Sequence, residues 1–220
     1  VREWHKDVGH RFHDDFQGLE NWTDAQDVLD ELAEAGIEAD FDHSGLTEGV
    51  VFDSRARTHR VHGAKPLFYL LRRGSAPGSL DRALLAQAQA AGVEVRFNDR
   101  VTATSGNMIL AGGPRRADII AVGYVFDTAM PDGAWLAFGP ELAPKGYAYL
   151  LVNEGRGTVA SCIFTGFRDQ AHYLAATVSY FERHAGLQMQ NARGFGGFGN
   201  VRLPRTAMQG GKPVIGKHAG

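Results

Sequence analysis

The chain has 220 residues, 44% of them hydrophobic and 22% charged, enough to bury the core of one large soluble domain or two small ones. Its 23 basic and 25 acidic residues give a formal charge of -2 with no long Lys/Arg run, which argues against a nucleic-acid partner. Apolar runs such as 119–122 and 148–152 fall far short of the roughly 20 residues a membrane-spanning helix needs, so a span is excluded while contact with a membrane surface stays open. Cys162 is the single cysteine, which excludes a disulfide framework and a Cys-rich zinc site and fits a reducing, cytoplasmic compartment. The start at Val1, with neither Met nor a charged-then-apolar leader, reads as lacking a signal peptide, with the natural N-terminus further upstream.

Ala25, Val28, Leu29, Leu32 and Ala33 repeat with helical period and predict a helix over 24–35. Thr23 and Gln26 form its expected capping box, and Gly36 its left-handed stop. Short β-rich segments at 49–53, 58–61 and 67–72, separated by turn residues, read as a meander. The best-defined unit covers 67–97: a strand, a Gly-Ser-Ala-Pro-Gly turn, a helix over 80–91 and a second strand at 93–97. Ser79 is its N-cap, Asp81 suits the positive end of the helix dipole, and Gly92 ends it. Strand, helix, strand in so few residues predicts a right-handed parallel crossover.

Further strands are expected at 101–104, 108–111 and 118–122, making this half α/β. From Tyr124 the segments lengthen, with strands at 124–128, 134–138, 147–152 and 158–164. Turn residues at 131–133 and 153–155 make these antiparallel neighbours. A helix over 169–184 follows, and the Gly-rich tail from 194 reads as irregular except for a short strand at 213–216.

Several segments carry chemical signals. Gly194, Gly196 and Gly199 satisfy the dinucleotide spacing Gly-x-Gly-x-x-Gly, but no helix pattern follows, so an aromatic-glycine loop is the better reading. Gly211 to Lys217 satisfies Gly-x-x-x-x-Gly-Lys, but His218 stands where a phosphate loop has its hydroxyl residue. His10 with His13, and His59 with His62, have metal-ligand spacing outside any helical pattern and read as loop or strand histidines, so no metal site is assigned. Cys162 sits in an apolar alternation and reads as a buried structural thiol. Tyr147 and Tyr149 project from one face of one strand, where packing and a ligand-facing role are equally open.

Four of these stretches, taken in order, resemble the FAD-dependent oxidoreductases related to geranylgeranyl reductases and, more distantly, aromatic hydroxylases. Arg72-Arg73-Gly74, then Leu80-Asp81, Leu84, Ala88 and Gly92-Val93, is similar to the family's arginine, "Leu-Asp" and helix that pass beside the flavin. Ala117-Asp118-Ile119-Ile120-Ala121-Val122-Gly123 is similar to the strand and glycine closing its flavin domain. Pro144-Lys145-Gly146-Tyr147-Ala148-Tyr149 is similar to the reductases' strand over the substrate cavity, and Ile215-Gly216-Lys217-His218-Ala219-Gly220 to the strand entering the flavin phosphates. The family's first Gly-x-Gly-x-x-Gly turn and its ribose-binding acid are absent, and either Lys217 stands where Asp is expected or the family's Gly-Asp lies just past Gly220.

The resemblance implies an α/β (α+β) fold with a partial FAD-binding unit over 1–122, an antiparallel substrate-binding sheet over 123–205 and a return strand over 206–220. It implies FAD in an intact protein and none held by this chain alone. Arg72, Arg73, Gly216 and Gly220 would lie toward the flavin, and Tyr147 and Tyr149 toward an apolar, isoprenoid-type substrate whose carbon–carbon double bonds are reduced. No catalytic residue is identified. The alternative is a non-catalytic module binding an apolar ligand or a protein, and the missing strands would leave sheet edges open to self-association.

Overall fold

The structure, a computed structural model, describes residues 1–102, 108–109, 111–113 and 117–200, together with the backbone of 208–209 and 212–213. Its strands are β1 (Phe16–Glu20), β2 (His43–Leu46), β3 (Glu48–Phe52), β4 (Thr58–His62), β5 (Phe68–Arg72), β6 (Ile119–Asp127), β7 (Gly133–Ala137), β8 (Tyr147–Asn153), β9 (Arg156–Ile163) and β10 (Gln190–Gly199), with short β11 (Met208–Gln209) and β12 (Lys212–Pro213). Its helices are α1 (Val28–Glu34), α2 (Leu80–Ala90) and α3 (Gln170–Ala185). The mixed α/β fold expected from the sequence is present.

Two main sheets stack. A seven-stranded sheet runs β10-β6-β9-β8-β7-β3-β4, antiparallel except for the β3–β7 pair, and a three-stranded antiparallel sheet runs β1-β5-β2. One face of the large sheet packs Phe52, Phe126, Leu150, Val152 and Val159 against Tyr180 and Phe181 of α3. Between these layers, buried Ser161 and Thr177 share a hydrogen bond of 2.9 Å. The other face meets the small sheet through Leu151, Phe16 and Leu70, and the Phe16 N–H donates to Thr158 Oγ1 at 2.9 Å. Successive residues of β5 point opposite ways, so Leu71 turns away from Leu70 and packs with Phe41 and Ala83 under α1 and α2.

Local chemistry sets several boundaries as read. Ser79 caps α2, and Gly36 and Gly92 take positive φ just past their helices. Glu154 and Gly155 both have positive φ, and Asn153 pairs with Arg156, so β8 and β9 form a two-residue hairpin. The start of α1 differs from expectation. Asp27, not Thr23, is the N-cap, because its carboxylate accepts the Leu29 N–H at 3.0 Å while the Thr23 hydroxyl turns to Glu20. Lys65 Nζ meanwhile donates to the carbonyls of Asp24, Ala25 and Gln26 at 2.8–3.1 Å and holds that stretch outside the helix.

Non-local pairing overturns three other readings. The meander does not form: β3 and β4 make a hairpin in the large sheet, and β5 crosses to the centre of the small one. The parallel crossover onto β5 does not form either, because antiparallel β1 and β2 occupy both its edges. The segment after α2 finds its parallel partner at the start of the chain, where Arg2 bridges Arg96 and the Glu3 N–H donates to the Arg96 carbonyl at 2.8 Å.

The aromatic-glycine stretch is the strand β10, paired antiparallel with β6. Two strands expected at 118–122 and 124–128 are a single β6, so a division at 122/123 falls inside a strand. Gly123 therefore ends nothing; a Cβ there would lie 2.7 Å from the Phe195 ring that covers it from β10. The strands expected at 101–104 and 108–111 lie partly, and that at 213–216 mostly, outside the described residues.

Asp53 closes the β3–β4 turn. Its carboxylate accepts the N–H groups of Arg57 and Arg55, Arg57 Nε at 2.6 Å and His59 Nε2 at 3.3 Å, and these bonds, led by the Arg57 N–H, hold its pKa far below the usual range. A depressed carboxylate contributes stability above its unfolded pKa of about 4 and loses it as the pH falls toward the folded value. Amide resonances of residues 53–59 are therefore expected to hold their positions through pH 4 and shift only in stronger acid. An Asp53→Asn variant should show the shifted positions at neutral pH.

Candidate functional site

The candidate site lies on the large-sheet face opposite α3. Counting outward from the two-residue turn sets Tyr147 opposite Cys162 and Tyr149 opposite Ala160. The next strands continue the row with Gly123 beside Ala160, Phe195 beside Gly123, and Leu136 beside Tyr149. The small residues Ala121, Gly123 and Ala160 thus lie between aromatic rings carried by β8 and β10. The surface is apolar because every second residue of each strand points to it.

The two tyrosines share this face, with ring centroids 6.3 Å apart, yet they do different things. Tyr149 packs against the Phe16, Leu70 and Leu151 group, and burial, followed by the nearby Cys162 and Asp15, raises its hydroxyl pKa well above 10. Tyr147 is 37% exposed at the rim. Its hydroxyl hydrogen-bonds Cys162, and burial with that neighbour pushes its pKa up to about 12. Of the pair, Tyr147 is the more exposed and offers more ring surface to a ligand.

Cys162 is a buried free thiol whose pKa burial pushes up to about 11, against the smaller, opposing effect of the Tyr147 hydrogen bond. Only the thiolate attacks a disulfide reagent. Native protein at pH 8 is therefore expected to react with such a reagent no faster than it unfolds, and to give one thiol equivalent at once in denaturant. Prompt labelling of the native chain would contradict this burial.

The two arginines sit at the end of β5 and are already engaged. Arg72 Nη2 donates to Asp42 Oδ2 at 2.6 Å and to the Pro77 carbonyl at 3.0 Å. Arg73 makes a two-point bond to Asp81 through Nε and Nη2, at 2.9 and 3.0 Å, and its guanidinium lies 3.9 Å from the Phe12 ring centroid. Asp81 also accepts the Gly74 N–H at 2.8 Å, so it ties the end of β5 to the start of α2. Gly9 presses on this corner: a Cβ there would lie 2.6 Å from the Gly74 carbonyl. Gly216 and Gly220 lie outside the described residues.

Sequence reading missed the acidic partners Asp42 and Asp81. Asp81 was visible as a helix-start acid, but its bond to Arg73 depends on the turn between them. The Tyr147–Cys162 pair was within reach, because it follows from the hairpin once its turn is fixed at two residues. Clefts of about 230 and 330 Å³ lie elsewhere, the first beside Glu20, Asp24 and Glu31 and the second between Val1, Val8 and α2. Among the described residues no cluster of three His, Cys, Asp or Glu side chains could hold a metal ion. Nor is any helix among them long and apolar enough to cross a membrane.

No protein-family model matches the chain, and no curated protein matches it. Solved structures do. A geranylgeranyl bacteriochlorophyll reductase-like protein from Thermoplasma acidophilum aligns over 90% of this chain and 59% of its own, with a TM-score of 0.59 and 15% identity. The peptidyl tryptophan dihydroxylase QhpG, essential for tryptophylquinone cofactor biogenesis, aligns over 88% of this chain and 48% of its own, with a TM-score of 0.56 and 16% identity. FqzB aligns over 76% and 47%, with a TM-score of 0.51 and 13% identity. The chain thus spans about half to three-fifths of these structures, and identities this low speak for the fold alone. That fold is mixed α/β and similar to that of the reductase-like protein and the dihydroxylase.

Proposed function

We propose that this chain is the central, substrate-binding part of a flavin-dependent oxidoreductase that reduces carbon–carbon double bonds of an apolar, isoprenoid-type substrate in the intact protein. The observation that carries the reading is the fold likeness to a reductase-like protein over nine-tenths of this chain. The apolar sheet face bearing Tyr147, with small residues between aromatic rings, supports the substrate assignment. Tyr147 would lie against the substrate, with Tyr149 holding the strand beneath it. No residue is assigned as the catalytic acid.

The described residues do not by themselves fit FAD. The guanidiniums of Arg72 and Arg73 already have carboxylate partners, and the glycine stretch 194–199 is a strand rather than a phosphate-binding turn. The flavin would be anchored mainly by other parts of the intact protein.

Two experiments test the reading. The 220-residue chain, titrated with FAD, is expected to show no stoichiometric quenching of flavin fluorescence. The full-length protein is expected to carry flavin absorbance and, with NAD(P)H or dithionite, to reduce a prenyl substrate. A full-length protein that binds no FAD would sink the flavoenzyme reading, and saturable binding of an apolar ligand by that same protein would favour the non-catalytic module.

A further inference from the structure

Apart from the flavin reading, one edge of the large sheet carries unpaired backbone groups. β4 is the last strand of that sheet, and all five of its side chains are exposed. Its backbone polarity follows from two bonds at the ends of the hairpin: the Gly63 N–H donates to the Thr47 carbonyl at 2.8 Å, and the Asp53 N–H to the Arg57 carbonyl at 3.1 Å. Antiparallel ladders alternate inward and outward groups, so Arg57, His59, Val61 and Gly63 turn their N–H and C=O groups to β3. Thr58, Arg60 and His62 therefore point theirs outward.

The unmatched charge of this edge is basic. The hairpin carries two acids, Glu48 opposite His62 and Asp53 in the turn. Arg57 and His59 are tied to Asp53, whereas the Arg55 and Arg60 side chains make no ion pair with any described residue. A second copy fits poorly. Antiparallel registers using the three outward positions set Arg60 against Arg60, Thr58 or His62 of that copy, never against an acid. Val61, 38% exposed, adds an apolar contact on the opposite face of the strand.

We propose that the outer edge of β4 is a strand-addition site for an extended acidic segment of a partner protein, about five residues long. Backbone bonds to Thr58, Arg60 and His62 would hold the segment, and acidic side chains beside Arg60 and Arg55 would select it.

The test uses this chain with a short synthetic peptide alternating Glu and Val, and its analogue with Lys for Glu. Amide hydrogen exchange is expected to slow at Arg60, Thr58 and His62 with the Glu peptide, to leave His59 and Val61 unchanged, and to lose the effect as salt is raised. Arg60→Glu, an exposed change that leaves the fold intact, should weaken the Glu peptide about tenfold and shift preference to the Lys peptide. Equal protection by both peptides, or no protection by either, would overturn the proposal. So would protection of Arg60 that grows with protein concentration in the absence of peptide, which would make the occupant a second copy.

Discussion

Gly146→Ala is expected to lower the unfolding free energy by about 3 kcal/mol, the upper end of what overpacking a tight site costs. Gly146 enters β8 with its backbone pressed on the neighbouring strand: a Cβ would lie 1.9 Å from the Cys162 carbonyl oxygen and 3.0 Å from its carbon. These are backbone atoms of β9, which is paired on both sides by β6 and β8 and cannot yield without breaking a ladder. The turn before it is equally fixed, with Lys145 at positive φ and the Gly146 N–H bonded to the Ala143 carbonyl at 3.0 Å. The damage would also reach the candidate site, because Tyr147 follows directly and its bond to Cys162 depends on this approach. Urea unfolding should show a lower midpoint with an unchanged slope. Gly197→Ala serves as the control, since no atom lies within 4 Å of a Cβ there, and a similar loss from both would refute the steric account.

Phe181→Ala is expected to cost about 4 kcal/mol, because removing a fully buried ring loses its transfer energy and leaves a cavity. Phe181 has no exposed surface and sits within the cluster formed by Phe52, Leu150, Val152 and Val159. Its ring centroid lies 5.8 Å from Tyr180 and 6.5 Å from Phe52, so α3 grips the sheet largely through this residue. The neighbouring Tyr180 provides the contrast. Its hydroxyl is buried without a hydrogen-bond partner among the described residues, so Tyr180→Phe should be neutral or slightly stabilising. Thermal unfolding of the two variants separates the effects, and a Phe181→Ala midpoint equal to that of Tyr180→Phe would contradict the packing described here.

These residues also show where sequence reading succeeds. The caps of α2, the stops at Gly36 and Gly92 and the β8–β9 turn depend on side chains within a few positions of the backbone they satisfy. Tyr147 and Tyr149 fell on one face for the same reason, since a strand alternates whatever it pairs with. What each tyrosine faces was not local. Tyr149 is covered by Phe16 and Leu70, which arrive from a sheet built by distant segments, and nothing in its own strand distinguishes it from Tyr147.

Glycine misled in one place for an identifiable reason. Four glycines among residues 194–199 lower strand propensity and look like a loop. Pairing with β6 supplies the missing packing, because Phe195 covers Gly123 across the ladder. The arginines show a limit of another kind. Arg72 and Arg73 are expected toward a flavin, and their carboxylate partners Asp42 and Asp81 reach them only after β5 and α2 are in place.

The sequence by itself determined the mixed α/β class, the helices and most strands, the two-residue hairpin and the absence of any apolar run long enough to span a membrane, because composition, period and capping act over short distances. Tertiary structure alone decided that β5 lies between β1 and β2, that β10 is a strand, that both arginines are already paired, and that Tyr147 is more exposed than Tyr149. Each of those outcomes rests on contacts between segments far apart in the chain, whose free energy no local pattern encodes.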